Sequence, residues 1–223
     1  LTKLYLMQIP NNLVLDDKFM EIIPKFKRSK IKQMRKEIDK QRSLLSNALS
    51  CWILSLKLQK SINELEFYCN DYGKLFLKNE EYHFNISHSG SWICVVIDNQ
   101  PLGVDIEKIT NIDLTIAKRF FTYEENTYID NSLDKFKAFF EIWTLKESYI
   151  KTIGTGFFLN LNSFSIIKND EDFICKHQGQ IDDYYFYQYA IEGYVIAVCS
   201  RKRNVDDIIV VDYESWYDEF KKK

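Results

Sequence analysis

A sixteen-residue pattern occurs twice in this chain without a gap. HFNISHSGSWICVVID (83–98) lies over YFYQYAIEGYVIAVCS (185–200), with Phe84 on Phe186, Trp92 on Tyr194, and the apolar run 93–97 on 195–199. Each copy reads as a strand, a glycine-bearing turn and a second strand, which predicts two hairpins. Hairpins of this kind are common, so the pattern alone is slight support for a duplication. It points to two related halves with a site between them, a usual place for a ligand pocket.

The rest of the chain alternates short elements of both kinds. Residues 3–9 alternate as a strand, helical patterning at 16–23 is stopped by Pro24, and 44–58 reads as a long buried helix. Asn70-Asp71-Tyr72-Gly73 is a turn signal, and Ser-His-Ser-Gly-Ser (87–91) reads as the turn joining strands 83–87 and 92–97. A new unit begins near Gln100-Pro101. It opens with a strand at 102–107 and a helix at 112–121. A long helix at 133–153 follows, closed by Gly154, with Phe136, Phe139, Phe140, Trp143, Ile150 and Ile153 at helical spacing. Strands are expected at 161–167, 172–176, 185–190 and 194–200. The pattern predicts an α/β (α+β) fold with an N-terminal half at 1–101 and a C-terminal half at 102–223.

The 223 residues are enough to bury a core in such halves. A formal net charge of −2 supplies no global positive field, so any anion must be held by local clusters. The five cysteines are scattered without a CxxC pair, which argues against a disulfide framework or structural zinc and suits a reducing cytoplasm. No run approaches a membrane span, and the apolar stretch at the start is too short and broken for a signal peptide. A cytoplasmic protein without a membrane partner is expected.

Several constellations could carry chemistry. In Gly103-Val104-Asp105-Ile106-Glu107 the two acids are two apart on a strand and project together. They are either a solvated edge or a pair that a hard cation neutralises. In the run from Trp143 to Lys151, Glu147 and Lys151 are four apart on one helix face. They read either as a surface ion pair or as a functional pair, Glu147 a base or metal ligand and Lys151 a phosphate contact. Ser87, His88 and Ser89 crowd donors near one anion. Between Lys25 and Arg42 lies a basic stretch that is either a solvated helix face or a seat for phosphates or RNA. Thr122-Tyr123-Glu124-Glu125 is a capping box, which would occupy Glu125.

Taken in order, FNISHSG, then GVDIE, then W-x-x-K-E-S-x-x-K resembles the Sfp-like 4′-phosphopantetheinyl transferases, with KRFF (118–121) and DYGK (71–74) also fitting. The likeness runs from the first strand to about Ser200. It implies two similar halves in a pseudo-two-fold relation, with coenzyme A bound between them. By the same resemblance Asp105, Glu107 and Glu147 match Mg2+-binding carboxylates, Glu125 a further acidic position, and Lys151 a phosphate contact. Glu147 is then the candidate base, acting directly or through a magnesium-bound water, with Lys151 and His88 as further catalytic groups. Ser87 and His88 match residues near the adenine and 3′-phosphate, and Tyr72, Gly73 and Lys74 the strip beside the adenine. Arg42 and Ser43 would sit by the 3′-phosphate with Lys27 and Lys30 supplying charge, and Lys25 and Lys27 compete for one role. Leu75 stands where the family often has Pro.

The implied reaction moves phosphopantetheine from coenzyme A to a serine of an acyl or peptidyl carrier protein, releasing 3′,5′-ADP. Chain length favours a two-half monomer over the short trimeric enzymes of fatty-acid carriers. A module that holds RNA through the basic stretch is the rival. The overall acidity and the lack of an RNA-binding motif count against it, so no nucleic-acid partner is expected.

Overall fold

The computed structural model describes residues 2–222 apart from Val14, Glu171 and Asp206. The first half runs β1 (Lys3–Gln8), α1 (Lys18–Ile22), α2 (Lys25–Lys32), α3 (Glu37–Leu58), β2 (Phe67–Cys69), β3 (Leu75–Leu77), β4 (His83–Ser89) and β5 (Trp92–Asp98). The second runs β6 (Leu102–Lys108), α4 (Thr115–Phe120), α5 (Tyr123–Asn131), α6 (Lys135–Ile153), β7 (Phe164–Asn169), β8 (Asp172–His177), β9 (Gln180–Ile181), β10 (Tyr185–Ile191) and β11 (Tyr194–Ser200). The chain then adds β12 (Asp207–Val211) and α7 (Tyr213–Lys221).

Two sheets carry the architecture, one ordered β12-β1-β5-β4 and the other β10-β11-β6. The repeated sixteen-residue pattern is their common part. Ser89 pairs with Trp92 and Phe84 with Ile97 in one hairpin; Ile191 pairs with Tyr194 and Phe186 with Cys199 in the other. Both hairpins turn on two residues, and in both the leading strand of the half, β1 or β6, lies antiparallel to the hairpin's second strand. A long helix, α3 or α6, falls between leading strand and hairpin each time. The halves therefore share one order of elements.

Strand β5 is buried at every position, and its side chains divide by parity, as a pleated strand covered on both faces requires. Ile93 and Val95 join a core with Leu45, Ala48 and Leu49 of α3. Cys94 and Val96 meet Leu4 and Leu6 of β1, Val104 and Ile106 of β6, and Ile196 and Val198 of β11. Beyond the second sheet, Ala197 and Cys199 pack under Leu145, Tyr149 and Ile150 of α6. The layers are thus helix, sheet, sheet, helix, with the apolar seam of the two halves in the middle.

Three local readings differ. The buried helix begins two turns earlier than residue 44, at Glu37, where Glu37 and Asp39 suit the positive end of the helix. Ser87, His88 and Ser89 lie within β4, and the turn is Gly90-Ser91. The end of the chain returns to the first half. β12 pairs in parallel with β1, and Tyr213, Trp216 and Phe220 of α7 complete the α3 core. The free edge of β1 accounts for this: it offers backbone donors and acceptors that β12 satisfies. No helix among the described residues is long and apolar enough to cross a membrane.

Candidate active site

β4 and β6 are edge strands of different sheets, and side chains rather than a backbone ladder tie them. Asn85 Oδ1 accepts from the Val104 N–H at 2.9 Å and Ser89 Oγ from the Lys108 N–H at 3.2 Å. Ser87 Oγ donates to Asp105 Oδ1 at 2.9 Å, and Ser89 Oγ to Glu107 Oε2 at 2.8 Å. Asn85, Ser87 and Ser89 are two apart on β4, so one polar row faces the D-x-E pair of β6. Sequence reasoning took Ser89 as an anion donor in a turn rather than as the partner of Glu107, and missed Asn85, although the period-two polarity of NISHS carried the signal.

Helix α6 closes over these acids because Gly103 lets it. A Cβ there would stand 2.3 Å from the Ser148 carbonyl oxygen and 2.6 Å from Thr152 N. Only a residue without one permits that approach. Helix α6 is itself well bounded, with Asp134 Oδ1 accepting from Lys137 N at 2.9 Å and Gly154 in the left-handed conformation (φ 77°) at its end.

Glu147 and Lys151 sit one turn apart on α6, yet Lys151 turns away from Glu147. Its Nζ donates to Asp105 Oδ1 at 2.6 Å, Ser87 Oγ at 3.0 Å and the Val104 carbonyl at 3.2 Å. The surface ion-pair reading fails because the acid that pairs with Lys151 is Asp105 of β6 rather than Glu147 of its own helix. Asp105 and Glu147 are only 4 % and 9 % exposed. Asp105 Oδ2 and Glu147 Oε1 are buried with no hydrogen-bonding partner. Burial, and then the charge of Asp105, push the Glu147 carboxyl up to about 7, with Lys151 pulling the other way. The same two causes raise Glu107. Burial and the Lys151 charge hold His88 below its ordinary value, so it presents a neutral imidazole.

One cleft gathers Lys27, Ser43, Ser46, Asn47, Ser87, His88, Asp105, Glu107, Trp143, Glu147 and Lys151. It adjoins a second hollow that shares Lys27 and Lys151 with it and adds Tyr72, Gly73, Lys74, Asn85 and Gly154. A larger cavity beside α1 and α7, lined by Lys18, Glu21, Lys60 and Phe220, holds none of the predicted acids. Lys74 is half-buried, and desolvation depresses its ammonium to about 8. It donates to the Thr152 carbonyl at 2.9 Å and the Leu102 carbonyl at 3.3 Å. It thereby fastens the DYGK turn to the end of α6, as does Asn70 Nδ2 through the Gly154 carbonyl at 2.8 Å.

Not every predicted residue lines the cleft. Arg42 Nε donates to the Gly90 carbonyl at 2.7 Å and its Nη1 pairs with Asp39, so it pins the β4–β5 turn to α3. Lys25 and Lys30 are exposed on α2, while Lys27 faces inward. Glu125 stands apart from the other acids. It caps α5 by accepting from the Thr122 N–H at 2.8 Å, and it also accepts from Ile166 N at 2.7 Å and pairs with Lys146 at 2.5 Å, both side chains fully buried.

Asp105, Glu107 and Glu147 offer oxygen donors of the kind a hard divalent cation takes, and two of their buried oxygens lack any protein donor. The residues therefore fit such an ion. In this conformation, with Lys151 against Asp105, no three His, Cys, Asp or Glu side chains among the described residues are grouped to hold one.

The comparisons with known proteins fall on the same ground. The model of the 4′-phosphopantetheinyl transferase superfamily matches residues 101–199, and that of the 4′-phosphopantetheinyl transferase N-terminal region matches 16–100. The chain is 37 % identical over 175 residues to the 4′-phosphopantetheinyl transferase gsp of Aneurinibacillus migulanus, covering 77 % of this chain and 73 % of that one. It is 34 % identical over 205 residues to the 4′-phosphopantetheinyl transferase Sfp of Bacillus subtilis, covering 89 % and 92 %. With the 4′-phosphopantetheinyl transferase psf-1 of Bacillus pumilus it shares 32 % over 181 residues, 79 % and 78 % of the two chains.

Proposed function

The chain belongs to the 4′-phosphopantetheinyl transferase family, and we infer from this that it transfers the phosphopantetheine arm of coenzyme A to a serine of an acyl or peptidyl carrier protein. The observation that carries the reading is the cleft between β4, β6 and α6, which three acids and Lys151 line beside a hollow edged with lysines. The serine oxygen forms a bond to the pantetheine-side phosphorus as the bridging P–O bond breaks, and 3′,5′-ADP leaves.

Glu147 takes the hydroxyl proton. Burial, and then the Asp105 charge, lift its carboxyl to about 7 in the metal-free protein; a cation held by the same carboxylate would lower its basicity, so its place in the cleft carries the assignment. Lys151 can leave Asp105 for a phosphate oxygen, and Lys27 lies where it meets further phosphate charge. The neutral His88 and Ser87 hydrogen-bond the nucleotide, with Ser43 near the 3′-phosphate and Tyr72, Gly73 and Lys74 beside the adenine. Asp105, Glu107 and Glu147 would hold Mg2+, which when bound neutralises charge on the pyrophosphate. Arg42 and Lys30 act at one remove, the first through the Gly90 turn and the second through surface charge. Glu125 serves the fold.

The same reading takes the enzyme as a cytoplasmic monomer of two halves, 1–101 and 102–223, with β12 and α7 lent to the first, and without nucleic-acid or membrane partners. The test is release of 3′,5′-ADP from coenzyme A in the presence of an apo carrier protein. Release is expected to stop with EDTA, resume with Mg2+, and fail when the carrier serine is replaced by Ala. Release that persists in EDTA rules out the metal assignment, and no release with any carrier rules out the transferase.

A further inference from the structure

Phe158 is four-fifths exposed (81 %), an expensive place for a phenylalanine. It follows the end of α6, after Gly154 and Gly156, both of which have positive φ (77° and 54°) and turn the chain back. That reversal sets the Phe158 ring against Tyr72, edge to face, with centroids 5.0 Å apart. Tyr72 is itself half exposed (49 %) and lines the hollow that holds Lys27, Lys74 and Lys151. Two accessible aromatic rings, one from each half of the chain, are thus in contact, and one of them, Tyr72, lines the lysine-bearing hollow. The turn that carries Tyr72 is fastened to the end of α6 by the Asn70–Gly154 hydrogen bond and by Lys74 on the Thr152 carbonyl.

We propose that Phe158 is a nucleobase-binding residue, supplying from the second half a stacking platform that acts with Tyr72 to hold the purine of the donor nucleotide. This rests on the reading that coenzyme A occupies the cleft, and adds to it a residue that the motifs do not contain. A flat π-face is complementary to a base, and the adjacent lysines take the phosphates that a nucleotide carries with it. Exposure costs Phe158 apolar surface in the free protein, and the base would cover that surface on binding. Stacking of this kind is tolerant of base identity, so the pair grips a purine without reading its edge.

Isothermal titration with adenosine 3′,5′-bisphosphate and, separately, inorganic pyrophosphate tests this. Phe158→Ser is expected to weaken the bisphosphate by roughly ten-fold, within the span that stacking contributes, and to leave pyrophosphate unchanged. Phe158→Trp should bind the bisphosphate at least as tightly as the unaltered chain. In transfer assays Phe158→Ser should raise KM for coenzyme A and spare kcat. Because the side chain is exposed, a thermal midpoint within the error of the parent is expected, and it separates binding from folding. Equal affinity of Phe158→Ser and parent for the bisphosphate overturns the assignment and leaves the transferase reading standing, as does an equal loss for both ligands. Failure of the parent itself to bind the bisphosphate overturns the reading beneath it, and the assignment with it.

Discussion

Glu147→Gln is expected to lower the single-turnover rate of transfer by about 10²–10⁴-fold, the usual worth of a positioned base, while coenzyme A still binds. The amide keeps the size of the side chain and removes its charge and its basic oxygen. Glu147 is buried, and the Asp105 charge beside it disfavours its ionised form. Removing its charge relieves that repulsion, so the variant should unfold at the same temperature as the parent or higher. A slow enzyme that is no less stable and still binds its donor is the signature of lost chemistry. If the rate instead falls by less than ten-fold, Glu147 is neither base nor essential ligand.

The second large effect concerns Glu125 and Lys146. Lys146 Nζ donates to Glu125 Oε1 at 2.5 Å and to the Phe164 carbonyl at 2.7 Å, and lies 4.1 Å from the Phe164 ring centroid. Both side chains are fully buried. Removing one partner strands the other charge, which typically costs about 3–5 kcal/mol, whereas replacing both by uncharged groups of similar size is often close to neutral. Urea unfolding in EDTA should therefore show Lys146→Met and Glu125→Gln each destabilised by about that amount, with most of the loss recovered in the double variant. A Glu125→Gln protein of parental stability in EDTA, with a reduced response to Mg2+, would return Glu125 to the metal site.

The pair also shows what could be read from the sequence and what could not. The capping box at Thr122 and Glu125 is a local pattern, and local patterns are legible: the end of α6 at Gly154 and the common face of Asp105 and Glu107 were equally plain. The partner of Glu125 lies 21 residues away on α6, and nothing in the spacing names it. Lys151 is the same case. Four residues from Glu147, it reads as a helix-surface pair, but Gly103 draws α6 onto β6 and puts Asp105 within its reach. Ser87 to Ser89 read as a turn because serine, histidine and glycine suit one. They lie in a strand because β4 is an edge whose polar row meets β6. In the basic stretch, charge alone could not separate Lys27, which faces the cleft, from Lys25 and Lys30, which do not. The three motifs in order carried the family, and the two halves were foreshadowed by the repeated hairpin. The functional division of labour among the lysines depends on helix orientation, which only packing decides.

Intact-mass spectrometry of an apo carrier protein, incubated with this chain, coenzyme A and Mg2+, tests the transferase most directly. The expected result is a mass gain of one phosphopantetheine, absent when the acceptor serine is Ala and nearly absent with Glu147→Gln. Carriers of both the acyl and the peptidyl type that remain at their apo mass would contradict it.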